Sequence, residues 1–498
     1  MADPKTNSAN DGVEDMVREA LRVWRHNDSL DTAASSNSHR HLNQSRTRLD
    51  VLTHMADGAC LSLTFHRVPI QTFCSQLGNR LLFWPDGMGE EQQQRISVVS
   101  SRLSERKDLH RRWFDALRTA VVRCDPQQAC LCVVEGTAAC DAVSRAAALF
   151  GVPLLKINVG DGQITRPEDL IAWCRTAMSQ PRQVDVQIGV QNLTLCISPE
   201  FVTSEQVNGV SGASAADVAS ILAGDRVIAL SCREGGTIPR LLLDHLQQEP
   251  KPTVLLVDDD QAAHGSTHKA LIEAGAVQWL LQGQQQAYVA TKTVAGGDRQ
   301  ADQSKHASSS VLSHPEDWLC HWTRPRRGPW PDETVDDYWD ALIMGCPSAD
   351  HSALSALLRI METRQLLPST MSHGAVSWTA VPLVEFPQRR VYRRHLRRYD
   401  FEPWGIAVRR SVLAARGCCP VAYVQPGEEV TEEPWQTQFA TDAAGKVDWT
   451  HEREWRILGR VDLSEISAED IVMFVDTEAE ATVLCQSSQW SVICVPGD

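Results

Sequence analysis

The chain has 498 residues, a formal net charge of −15 and an apolar share of 43%. That length is too great for one ordinary core, so two or three domains are expected. The acidic balance excludes a whole-chain electrostatic pull toward nucleic acid or anionic membrane, although it leaves room for a local basic site. No apolar run approaches the length of a bilayer crossing, and the opening stretch lacks the basic and apolar regions of a secretory signal. Fifteen cysteines are spread through core-like segments such as "ACLCVVEGTAAC", with no C-x-x-C pair. Buried thiols in a reducing cytoplasm are expected from that pattern, not a disulfide frame or a zinc site.

Residues 1–50 are rich in Asn, Ser, Asp and Arg and read as a mostly disordered extension, with one helix near "VEDMVREALRVWRHN". From Val51 strand and turn patterns begin, and from about residue 95 strands alternate with helices. "RISVVSS", "CLCVVEG", "VPLLKINV", "DRVIALSC" and "PTVLLVDD" are the strand candidates. "DLHRRWFDALRTAVVRC", "AACDAVSRAAALFG", "RPEDLIAWCRTAM", "TIPRLLLDHLQQ" and "STHKALIEAGA" are the helices between and after them. Short β-branched runs alternating with helices predict an α/β domain over 51–290, with a parallel sheet covered on both faces. Residues 291–313 have the composition of a flexible linker. Residues 314–498, richer in Trp, Pro and Arg, predict a smaller α+β domain.

Two strand–loop–helix junctions in the first domain carry glycines: Gly136 with Thr137, and Gly235 with Gly236 and Thr237. Glycine lets a ligand approach the backbone, and the free amides of a helix start favour an anion. Ordinary turn glycines would look the same, and neither loop is a complete dinucleotide or P-loop motif.

In the second domain, "DWTHEREWRILGRVDL" (448–463) alternates polar and apolar residues, as a strand with one wet face does. Glu452 and Glu454 would then share a face. Two carboxylates there would raise one pKa and supply an acid or base; a salt bridge to Arg456 is the plainer role. Upstream, residues 387–417 hold nine arginines. The pairs Arg389/Arg390, Arg393/Arg394 and Arg397/Arg398 recur every four residues, which on a helix would form one stripe. With Tyr392, His395, Tyr399 and Trp404 interleaved, that stripe suits phosphate contact and base stacking; a solvated helix or a clamp on an acidic face are the alternatives.

"SSRLSER", "VVEGTAACDAVSRAAALFG" and "DRVIALSCREGGTIPRLL", spanning roughly 95–285, resemble the Rossmann-like SLOG superfamily, without its stricter P-G-G-x-G-T-x-x-E signature. The resemblance implies a nucleotide-sensing pocket near Ser100, Ser101, Arg102, Gly136, Thr137, Asp141, Gly235 and Gly236. "HWT", "LLRIMETRQLL", "WGIAVRR…PVAYV" and "EREWR", across about 317–476, resemble the abortive-infection AbiGi group and the DNA-targeting ADP-ribosyltransferase toxins. Gln365 replaces the usual glycine of the helix motif. That resemblance implies an ADP-ribosyltransferase-like domain that uses NAD. Glu454, or Glu452, would be the catalytic carboxylate, His321 and Thr323 would hold the nicotinamide ribose or amide, and Arg389 and Arg390 would grip the pyrophosphate. Arg393, Arg394, Arg397 and Arg398 would meet a nucleic-acid acceptor.

The expectation is thus a cytoplasmic defence or toxin-type protein, whose nucleotide-sensing Rossmann-like domain controls an NAD-dependent effector. The alternative is a non-catalytic nucleic-acid-binding or regulatory protein. A metal-dependent nuclease would need clustered acids, for which only 257–261 and 332–337 offer candidates; no metal site is expected.

Overall fold

The computed structural model describes residues 14–15, 17–24, 55–56, 59–65, 68, 70–85, 93–179, 186–187, 190–202, 214–248, 252–257, 265–280, 311–368, 373–393, 398–425, 428, 433–441 and 448–495. The chain divides into two compact units: Met1–Gln284 with Pro331–Cys346, and Gln285–Trp330 with Pro347–Asp498. The stretch 331–346, expected within the second domain, therefore belongs to the first unit. Most of the expected linker lies outside the described residues, and Val311 near its end is buried in the second unit's core.

The first unit is built on β1 (Ala59–Ser62), β2 (Leu82–Pro85), β3 (Gln94–Ser100), β4 (Ala129–Val134), β5 (Leu154–Val159), β6 (Val190–Ile197), β7 (Arg226–Ser231), β8 (Thr253–Val257) and β9 (Val277–Trp279). Across the sheet the order is β1-β2-β6-β5-β4-β3-β7-β8-β9. The pairs from β6 to β9 are parallel, and β1–β2 and β2–β6 are antiparallel. Helices α1 (Arg111–Val122), α2 (Cys140–Phe150), α3 (Pro167–Ser179), α4 (Ala215–Leu222), α5 (Thr237–Leu246) and α6 (Ser266–Ala274) alternate with the strands. Their ends follow local rules. Ser214 caps α4 by accepting from the Asp217 amide, and Gly151 and Gly275 end α2 and α6 at φ of 68° and 112°.

From β3 the chain steps outward through β4, β5 and β6, then returns to the other side of β3 as β7. This is the order of a doubly wound Rossmann-like sheet, and its reversal lies between β3 and β7. A helix within 14–24 adds Val17, Ala20, Leu21 and Trp24 to a cluster with Leu170, Cys174 and Phe201; the rest of 1–50 lies outside the described residues.

Helix α7 (Val335–Met344) begins at Thr334, whose hydroxyl accepts from the Asp337 amide, and packs on α1 and α2. Arg145 forks onto Asp340 at 2.6 and 2.7 Å and reaches Asp336 at 2.7 Å. Arg118 donates to the Ile343 carbonyl at 2.9 Å, and Phe114 meets Trp339 at 6.0 Å. Within the acidic run 332–337, Asp337 thus serves the helix start and Asp336 its docking.

The second unit centres on β10 (Trp318–Trp322), β11 (Ala375–Thr379), β14 (Gly405–Arg409), β15 (Cys419–Pro420), β16 (Glu454–Leu458), β17 (Ile471–Val475) and β18 (Ser491–Cys494). Two short strands, β12 (Tyr392–Arg393) and β13 (Arg398–Tyr399), form a separate hairpin. The order β15-β16-β11-β10-β14-β17-β18 is antiparallel except for the last pair. Each face carries its own core. Leu319, Ile406, Met473, Trp378 and Ile457 lie on one side, against α8 (Ala353–Thr363) and α9 (Glu478–Ser487). Trp318, Cys320, Ala407, Val472 and Phe474 lie on the other. The unit is mixed α and β, as expected from its sequence.

Candidate functional site

In the first unit the carboxyl ends of β4, β3 and β7 bring together the loops singled out in the sequence. Ser101 ties two of them: its amide donates to the Ser231 carbonyl at 2.8 Å, and its hydroxyl accepts from the Arg233 amide at 2.9 Å. Gly235 takes φ of +67°, a left-handed conformation that an L side chain resists. Gly236 precedes α5, where an added Cβ would stand 2.9 Å from the Arg233 carbonyl and 3.7 Å from the Ser101 hydroxyl. At β4, Gly136 has φ of +80°, and Thr137 donates its hydroxyl to the Val134 carbonyl at 2.7 Å. Arg102 is exposed at the β3 end, and Ser100 accepts from the Trp113 indole at 2.9 Å.

Lys107, which the sequence reading passed over, lies in the same loop. It is half-buried, and burial lowers its pKa against the opposing pull of Asp141 and Glu105. A lysine a few residues past a strand's carboxyl end was the signal that could have found it.

The second unit's residues do not assemble as the resemblance implies. Cys320 stands opposite Ala407 and Thr379, and Thr379 opposite Glu454, so these four occupy one face of the sheet. His321 is one residue on, opposite Ile406, and so lies on the other face. Its ring tilts over Trp378 at 5.6 Å. The catalytic pairing of His321 with Glu454 is therefore corrected: strand register sends them to opposite sides.

Glu454 itself is held by Arg456 through Nε at 2.8 Å and Nη2 at 2.9 Å. The Arg456 guanidinium, 4% exposed, also donates to the carbonyls of Trp435 and Thr437 and to Gln438 Oε1. The Glu454 amide donates to the Tyr423 hydroxyl at 3.0 Å. This is the salt bridge weighed as the plainer role, and it clamps 433–441 to the sheet.

Glu452 departs from expectation differently. Residues 450–452 form a 3₁₀ turn, Arg453 takes φ of +47°, and the strand begins only at Glu454. Glu452 therefore is not on the strand, and Thr379 donates its hydroxyl to the Glu452 backbone carbonyl. Burial raises the pKa of its carboxyl; Glu454 and Asp400 push the same way, while Arg324 and His451 oppose them.

His321 donates Nδ1–H to the Ser377 carbonyl at 2.8 Å, because a carbonyl can only accept, which leaves the lone pair on Nε2. Burial lowers its pKa and the Arg324 charge adds to this, against the Ser377 bond. Arg324, exposed and absent from the sequence reading, thus acts on both His321 and Glu452. Thr323 is buried, its hydroxyl satisfied by the Ala353 and Trp404 carbonyls at 2.7 and 3.0 Å.

Arg389 is taken by Glu385 at 2.6 Å and Arg390 by Asp476 at 3.0 Å. Of the residues chosen to hold NAD, Thr323, Arg389 and Arg390 are thus committed to other partners.

The arginine segment is not the expected helix. A short helix ends at Arg389, and β12 and β13 follow as an antiparallel pair, with Tyr392 opposite Tyr399 and Arg393 opposite Arg398. Arg394 and Arg397 lie outside the described residues. Among the described residues no group of three or more His, Cys, Asp or Glu is arranged to hold a metal ion, and no helix is long and apolar enough to cross a membrane.

No known family profile matches the chain, and no curated protein does. Among solved structures there is similarity to the X-ray structure of DNA processing protein A from Streptococcus pneumoniae, at 15% identity and a TM-score of 0.23. The match covers 40% of this chain and 62% of that one, less than two thirds of its length. The Rossmann-like character of the first unit rests on its own strand order.

Proposed function

We propose that the protein is a non-catalytic regulatory protein whose first unit binds an anionic, nucleotide-derived ligand at the carboxyl edge of the sheet. One observation carries this reading. At the β3/β7 reversal, the crevice where ligands bind in open α/β sheets, Ser101 is hydrogen-bonded to the glycine loop that opens α5. Gly235 and Gly236 keep that loop free of side chains, and Arg102 and Lys107 supply positive charge from the neighbouring loop.

The test is thermal-shift and calorimetric titration of the full chain against nucleoside mono-, di- and triphosphates, cyclic nucleotides and ADP-ribose. One or more should raise the melting temperature, and Arg102→Ala or Gly235→Val should weaken that response at least about tenfold while the fold persists. A panel with no binder, or variants that bind as well as wild type, would remove the reading.

For the second unit the same proposal expects no turnover of labelled NAD, since Glu454 is committed to Arg456. If NAD were consumed, Glu452, whose carboxyl holds its proton to higher pH, would be the residue to replace by Gln.

A further inference from the structure

The two strands next to β3, on the side away from β7, end in polar side chains that an anion over the crevice does not explain. Val134, Leu155 and Ile157 share one buried cluster on one face of the sheet. Alternation along β5 therefore turns Lys156 and Asn158 to the other face. Glu135, the first residue past β4, reaches the same place. Its Oε1 stands 3.5 Å from the Lys156 Nζ, and its amide donates to the Ile157 carbonyl at 2.9 Å. Helix α2 starts beside this pair: burial pushes the thiol of its first residue, Cys140, up, Asp141 and Glu135 add to this, and Lys156 and Ser144 oppose it. Asp141 also acts on Lys107, which ties the place to the loop of Arg102 and Lys107.

The bonding there is incomplete. The contact between Lys156 and Glu135 is longer than a full hydrogen bond, and their side chains are 42% and 57% exposed, so both keep bonding capacity for a ligand. The Asn158 Oδ1 is buried and has no hydrogen-bond partner among the described residues. A buried acceptor in that state gains from any donor that reaches it.

We propose that Glu135, Lys156 and Asn158 recognise the 2′,3′-diol of a ribonucleotide whose 5′-phosphate lies at the β3/β7 crevice. The carboxylate and the amide oxygen accept from hydroxyls, while the ammonium donates to the oxygens of the same hydroxyls. A further phosphate at this place would be repelled by Glu135. An amino group of a base would donate to the carboxylate but offer Lys156 nothing to donate to. A diol does both. From β3 to β5 is two strand spacings, about 10 Å, a span for a nucleoside with its phosphate and not for a free phosphate. This assignment rests on the reading of the crevice as a nucleotide site.

The test is calorimetric titration of the full chain with the 5′-mono- and diphosphates of adenosine, guanosine, cytidine and uridine, each beside its 2′-deoxy counterpart. At least one ribonucleotide should bind, and loss of its 2′-hydroxyl should weaken it at least about tenfold. Glu135→Gln and Lys156→Met should each weaken the ribonucleotide and bring the ratio of ribo to deoxy affinity within about threefold. Both side chains are half-exposed, and a melting temperature near that of wild type checks that the fold persists. Arg102→Ala, at the phosphate end, should weaken both forms alike and leave the ratio as it was.

Deoxy forms that bind as tightly as ribo forms overturn the diol assignment while the crevice reading stands. So does a ratio that either variant leaves at the wild-type value, or a 3′,5′-cyclic nucleotide that binds more tightly than its open counterpart, since its 3′ oxygen is esterified. If no nucleotide binds, the crevice reading falls and takes this assignment with it.

Discussion

His245 sits on the inner side of α5, its imidazole buried, with the Gln248 side chain beside it opposing the effect of burial. Burial lowers its pKa from 6.5 to about 4. The folded chain therefore binds fewer protons there than the unfolded chain, so stability is full above the unfolded pKa and falls as acid approaches the folded one. The complete loss is about 3 kcal/mol, and most of it comes between about pH 6.5 and pH 4. Urea melts of the wild type at about pH 7.5 and pH 5 should show the drop. His245→Leu should remove most of it; an unchanged pH dependence in that variant would acquit the imidazole.

Glu454 makes the opposite kind of residue-scale prediction. Its replacement by Gln leaves the Arg456 guanidinium buried without its counter-charge, at a cost of about 3–5 kcal/mol. Glu452→Gln should cost little at neutral pH. Chemical denaturation of the two variants, side by side, checks this order. The residues themselves were legible in the sequence as charged and clustered, but their partners were not. Whether Glu454 meets His321 or Arg456 depends on strand register, and a shift of one residue reverses every face. No local pattern in "EREWR" encodes that register.

At the scale of elements, the first unit was readable because its signals are local. The runs "RISVVSS", "CLCVVEG", "VPLLKINV", "DRVIALSC" and "PTVLLVDD" are strands in the structure, and a glycine closes each of α2 and α6. The hairpin of β12 and β13 was missed because paired arginines every four residues suit a helical stripe and a two-stranded ribbon equally. The segment "YRRHLRRY" reads the same in both directions apart from its centre. Such symmetry sets like opposite like in an antiparallel pair, and it was the overlooked evidence for a ribbon.

The run 332–337 was read only as clustered acids; Thr334 ahead of Asp336 and Asp337 was the overlooked sign of a helix start, and nothing local marked its destination on α1 and α2. A double-mutant cycle of Arg145→Ala and Asp340→Ala should give a coupling of about 1 kcal/mol, as suits a half-exposed fork. A coupling of zero would mean that the apolar contacts around Phe114 and Trp339 hold the helix alone.

At the scale of the whole molecule, the two units share the chain unevenly: 331–346 belongs to the first, yet both its neighbours in sequence belong to the second. A protease site placed in the loop 325–329 should therefore yield a nicked protein in which 331–346 stays with the first unit under native conditions. Hydrogen exchange across 335–344 should be protected before and after the cut. Rapid exchange of that helix in the intact chain would mean that its docking contributes little. The expected single boundary at 291–313 was a fair reading of composition, because linkers are marked by small polar residues. A segment that crosses back carries no such mark.

The returning helix also sets an order of events during synthesis. A ribosome making about 5–20 residues per second needs roughly 3–11 seconds to pass from residue 290 to residue 346. Throughout that interval the nascent first unit has its sheet complete but Phe114 without its cover. Until α7 arrives, the apolar surface around Phe114 that Trp339 meets in the folded protein is left open.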